Sequence, residues 1–73
     1  MTKYVLYLGA YKVIQLPDTF EKICLELKDF EYDNMPDIGK ELEWFKKEYP
    51  QANQFEYKLV KNEIIAEGII KGE

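Results

Sequence analysis

With no histidine and no arginine in the sequence, any chemistry must come from one cysteine, the carboxylates, the lysines and six tyrosines. Cys24 is the only candidate thiol nucleophile. A thiolate forms near neutral pH only beside a base, a cation or a helix N-terminus. Cys24 falls instead on an apolar helical stripe, where a free cysteine behaves as a small hydrophobe. The expectation is a buried, poorly reactive residue.

The carboxylates offer two arrangements. Asp29, Glu31, Asp33 and Asp37 gather in one stretch, and oxygen-rich clusters suit Ca²⁺ or Mg²⁺. The spacing lacks the glycine and the terminal glutamate of a calcium-binding helix–loop–helix loop. A solvated loop is expected, with no metal and no cofactor. Glu56 and Glu67 are expected to face each other across a hairpin. Paired carboxylates do acid–base work when their environments push their pKa values apart. On an exposed sheet they more often repel. Glu41 and Glu43, two positions apart on a helix, do not share a face. No pocket-forming loop is evident, and the expectation is a protein that is not an enzyme.

Tyr4, Tyr7 and Tyr11 could stack on single-stranded bases if they lay on an open sheet. Charge argues against it: fourteen acidic residues outnumber ten lysines, for a net −4. Affinity for nucleic acid comes largely from neutralising phosphates, so no direct nucleic-acid partner is expected. Trp44 lies about 100° from the core stripe of its helix. It either covers the core edge or anchors a partner, as interface tryptophans do.

The elements that would hold these residues follow from periodicity. Residues 2–8 and 11–16 read as two strands joined by Gly9-Ala10 in a type II′ turn. The rival is one long bulged strand through Gly9. Both faces of this segment are largely apolar, so the inward face stays open. Pro17 ends it, and Asp18 with Glu21 resembles a capping box. Phe20, Ile23, Cys24, Leu27 and Phe30 then form one helical stripe. After the linker 32–36, Asn34 or Asp37 would cap a second helix with Pro36 in its first turn. Its stripe is Ile38, Leu42, Phe45 and Tyr49, and Pro50 stops it. Residues 54–71 alternate with period two as a hairpin turning at Lys61-Asn62. That turn would set Leu59 against Ile64, Tyr57 against Ala66 and Phe55 against Gly68.

The expected fold is therefore α+β, in the order ββααββ: one compact domain over 1–73, with a four-stranded, mainly antiparallel sheet and two helices packed on one face. Phe20, Ile23, Leu27, Leu42, Phe45, Tyr57 and Leu59 would share its core. A single cysteine permits no intrachain disulfide, as suits a cytoplasmic protein. No apolar run approaches the roughly 18 residues of a membrane span, and residues 4–8 are too short for a signal-peptide core.

These features favour a small acidic, non-enzymatic protein-interaction module. Val60, Ile65 and Ile69 would form an apolar patch rimmed by Glu56, Glu63 and Glu67, the anatomy of a contact surface. Val60, Ile65, Ile69, Glu56, Glu67 and Trp44 are the candidate contacts. The partner is a protein, most simply a second copy in a homodimer. The alternative is an accessory inhibitor or regulator, of phage or mobile-element type, whose acidic surface competes at a nucleic-acid-binding target.

Overall fold

The computed structural model describes residues 3–72 and has the order ββαββ. The strands are β1 (Tyr4–Gln15), β2 (Phe20–Tyr32), β3 (Gln54–Lys61) and β4 (Glu63–Lys71), with one helix, α1 (Ile38–Glu48). They form one sheet in the order β2-β1-β3-β4, every neighbouring pair antiparallel. The α+β class stands, but the two-helix layer does not.

Two corrections produce this order. The Gly9-Ala10 segment does not turn. β1 runs straight through it, pairing with β2 from Tyr4↔Tyr32 to Gln15↔Phe20 and with β3 from Val5↔Val60 to Tyr11↔Gln54. The expected start at Thr2 lies outside the described residues. The segment expected as the first helix is β2. Its helical stripe loses to twelve residue pairings with β1, because tertiary pairing routinely overrides local propensity. The ladder slips between Ala10 and Tyr11, leaving Leu25 without an opposite residue. That bulge breaks the period-two alternation by which a strand is recognised.

The second expected helix is α1. Asp37 is its N-cap and accepts from the Lys40 amide at 3.2 Å. Pro36 stands just before the cap rather than in the first turn, where it still costs no helical hydrogen bond. Tyr49 closes the helix and its amide donates to the Phe45 carbonyl.

The helix covers one face of the sheet. Leu6, Leu8 and Ala10 of β1, Phe55 and Leu59 of β3, Leu42 and Phe45 of α1, and loop residue Ala52 are buried together. Phe45 meets Phe55 edge-on at 6.1 Å and Tyr49 at 5.0 Å, separations at which aromatic pairs attract. This resolves the open question of β1: its even residues face the helix, and Val5, Tyr7 and Tyr11 face away. Leu42, Phe45 and Leu59 take their expected core places, with Tyr57 packed at the margin. Phe20, Ile23 and Leu27 are exposed: Leu27, opposite Gly9, points away from the helix, and Phe20 and Ile23 lie at the start of the edge strand β2, opposite Gln15 and Lys12.

The C-terminal hairpin forms with a changed register. Lys61 pairs with Glu63 around Asn62 alone, whose φ of 67° is left-handed, a conformation asparagine tolerates. A bulge then leaves Ile65 without an opposite residue, so Leu59 pairs with Ala66, Tyr57 with Gly68 and Phe55 with Ile70. The shorter turn and the bulge each shift the register by one residue. Together they shift it by two, which returns every later side chain to its expected face.

Candidate functional site

Among the described residues, no helix or strand covers the face of the sheet away from α1. Tyr7, Gly9 and Tyr11 of β1, Leu27 of β2, Glu56 of β3 and Ile69 of β4 line a shallow concavity of about 840 Å³ across all four strands. Leu27 and Ile69 are 64% and 63% exposed, and Tyr7 and Ile65 are both 46% exposed. Tyr7, Leu27 and Ile69 point outward because strand alternation requires it once Leu6, Leu8 and Leu59 point inward, and Ile65 is exposed at the bulge.

A polar cluster crosses the middle of this face. The Lys22 ammonium pairs with the Glu56 carboxylate and lies 4.2 Å from the centre of the Tyr11 ring, within cation–π range. The Gln54 amide donates to the same Glu56 oxygen at 3.1 Å. The hydrogen bond from Lys22 holds the Glu56 carboxyl below its ordinary value, with help from Gln54 and against partial burial. The bond to Glu56 correspondingly raises the Lys22 ammonium. Burial, then Glu56, raises the Tyr11 hydroxyl. The Tyr11 ring also lies against Gly9, where an added Cβ would come within 2.7 Å of it. Gly9 is thus a close-approach glycine, not a turn residue.

The candidate contacts divide between two sides of the molecule. By their ladder partners Val60, Ile69, Glu56 and Glu67 lie on the open face, with Ile64 opposite Val60, and Ile65 stands exposed at the bulge without an opposite residue. Trp44 lies on the helix side, 39% exposed. Its ring meets Phe30 edge-on at 6.0 Å, and the Lys28 ammonium lies 5.4 Å from its centre, so it covers the core margin. The expected Glu56–Glu67 apposition does not form. Glu56 stands opposite Ile69, and Glu67 opposite Lys58. Cys24 is exposed on β2, opposite Tyr11, so the buried-thiol expectation is overturned together with the helix that carried it. Among the described residues no three His, Cys, Asp or Glu side chains are placed to hold a metal ion. No described helix is long and apolar enough to cross a membrane.

One structural residue gave no periodic signal. Asn53, in the loop before β3, accepts from the Val13 amide at 2.7 Å and donates to the Val13 carbonyl at 2.8 Å. Its own amide donates to the Tyr11 carbonyl at 2.9 Å. The side chain continues the β1–β3 ladder for one more rung where β3 itself has ended. It braces the hairpin arm formed by residues 12–23, which extends the molecule to 48 Å in its longest dimension.

Compared with protein-family models, with curated proteins and with solved structures, the chain has no significant match in any of the three.

Proposed function

We propose that this protein is a small, non-enzymatic protein-interaction module. It associates, in the simplest case with a second copy of itself, through the outer face of its sheet around Ile65 and Ile69. One observation carries this reading: the helix covers one sheet face, and the other displays Tyr7, Leu27, Ile65 and Ile69 largely bare. A sheet face that keeps exposed apolar residues among charged ones and is not covered by the helix has apolar area left to bury. Four strands about 4.8 Å apart and some eight residues long at about 3.4 Å per residue span roughly 500 Å² in projection. The accessible area of such a surface approaches the ~800 Å² per partner of a standard interface.

Sedimentation velocity over a wide protein concentration range tests the proposal. The wild-type chain should dimerise. The double substitution Ile65→Thr and Ile69→Thr, which keeps β-branching but removes apolar area, should weaken the dimer while the thermal melt stays cooperative. A monomer at every concentration would overturn self-association. A dimer indifferent to the double substitution would remove the outer face from it.

A further inference from the structure

We infer that two copies stack outer face on outer face with their strands antiparallel, about a two-fold axis that runs along the row Leu27, Gly9, Glu56 and Ile69. The inference rests on the self-association proposed above and names its register.

The strand pairings lay the outer face out in rows. Gly9 stands opposite both Leu27 and Glu56, and Glu56 opposite Ile69, which makes one central row across all four strands. On the side of the hairpin arm the next row holds Tyr11 and Lys71, and the one beyond it Lys22 and Val13. On the other side the next row is Asp29, Tyr7, Lys58 and Glu67, and the one beyond it begins with Glu31 and Val5. Charge divides between these halves. The two rows on the arm side carry Lys22 and Lys71 and no carboxylate. The two rows on the far side carry Asp29, Glu31 and Glu67 against Lys58 alone. The central carboxylate, Glu56, is already paired with Lys22 and bonded by Gln54.

A face with halves of opposite sign matches a second copy turned end for end. A two-fold axis lying in the sheet and across its strands turns the copy in this way and keeps each strand over its own counterpart. Lys71 then meets the partner's Glu67, Lys22 lies over the partner's Glu31, and Val13 over the partner's Val5. Each of these contacts occurs twice by symmetry, as an isologous interface requires. On the axis Leu27 meets the partner's Leu27, and Ile69 meets the partner's Ile69. These are the two most exposed large apolar side chains among the described residues. Tyr7 lies over the partner's Tyr11, and the four rings fill the concavity at Gly9. Stacked sheets keep their strands within about 30° of each other, so the rows nearest the axis stay in register. Other placements fail on charge, because like charges brought together across an interface oppose binding. An axis one row nearer the arm sets Lys71 against its own copy. An axis one row farther away sets Asp29 and Glu67 against theirs. An axis along the strands puts β2 over β4 and Asp29 over the partner's Glu67. The stack uses both outer faces and leaves both helices outside, so assembly closes at two copies.

The test uses the full chain. Lys71→Glu should weaken the dimer roughly tenfold by setting carboxylates together at both symmetric contacts, and adding Glu67→Lys should restore it. Within one copy these residues lie about 13 Å apart along β4, so rescue reports a contact between copies. In a Cys24→Ser background, Leu27→Cys places two thiols on the axis, across sheets about 10 Å apart. A bismaleimide of that reach should join them, and Phe20→Cys, far out on the arm, should stay unlinked. Pairing at one edge of the sheet brings together either β2 or β4. Rescue on β4 and cross-linking on β2 together require the two faces to meet. If the wild-type chain dimerises but Leu27→Cys stays unlinked, Phe20→Cys links as readily, or the second substitution fails to rescue, this register is wrong and self-association stands. A monomer at every concentration would overturn both.

Discussion

Cys24 and Glu56 show how a single side chain takes its character from the element that carries it. The same apolar spacing that places Cys24 inside a helix stripe leaves it on the outer face of an edge strand. An alkylating reagent should therefore label it in the native protein at nearly the rate seen in denaturant. Cys24→Ser should change stability by less than about 0.5 kcal/mol, as surface substitutions do. Slow native labelling would contradict its exposure. Glu56 has a working pH window. Its folded carboxyl is held below the ordinary value, chiefly by Lys22. Between the folded and unfolded values the unfolded chain binds more protons, so stability rises with pH there. The contribution is complete above the unfolded value of about 4.3 and is lost as pH falls through the depressed one. Glu56→Gln should flatten this part of the acid limb in denaturation curves taken across pH 2–6. An unchanged limb would show that the pair contributes nothing, the fate of many exposed ion pairs.

At the scale of elements, what could be read depended on which interactions define each one. α1 and the β3–β4 hairpin follow from local pattern: Asp37 at the cap, Leu42 and Phe45 on the stripe, and Phe55 and Leu59 in alternation. Their buried residues are the expected ones. β2 could not be read this way because its pattern runs against the strand rule. Glu26 and Lys28 point to the helix side, where the Tyr49 hydroxyl donates to Glu26 at 3.0 Å and Lys28 lies over Trp44 and Tyr49. Leu27, between them, points out to the open face. The alternation is inverted at Glu26, Leu27 and Lys28, is broken by the bulge at Leu25, and is regular only over the last residues of β2, where Phe30 and Tyr32 face in and Asp29 and Glu31 face out; the apolar residues meanwhile fall at helical spacing. The open face was legible only in part. Ile65 and Ile69 were found from alternation, whereas Tyr7, Tyr11 and Leu27 required the strand order. Asn53 was illegible because its work is done by an amide across forty positions of sequence. Asn53→Ala should cost about 1–3 kcal/mol, since it leaves the Val13 amide and carbonyl without partners. Hydrogen exchange at Val13 should accelerate more than exchange at Leu6. Equal protection before and after the change would show that the arm holds itself.

The whole molecule is set by a small core and an uncovered sheet. Phe45 is fully buried among Leu6, Leu8, Phe55 and Leu59. Phe45→Ala should cost about 3–5 kcal/mol, a large fraction of the stability available to a chain of this size. The change should leave most molecules unfolded by circular dichroism at 25 °C. The same smallness links stability to association. A short chain buries only about 60% of the surface that it exposes when unfolded, and this one also leaves a sheet face bare. If the native form is a dimer, folding and assembly share one equilibrium, and the melting temperature must rise with protein concentration. For a domain of this length a tenfold increase should raise Tm by roughly 3–5 °C. The double substitution Ile65→Thr and Ile69→Thr should reduce that dependence by pushing dissociation to higher concentration, without altering the core. Differential scanning calorimetry over a hundredfold concentration range measures both effects. A Tm that does not move with concentration would mean that the eight buried core residues, Phe45 among them, stabilise the monomer alone. The open face would then owe its apolar residues to strand propensity.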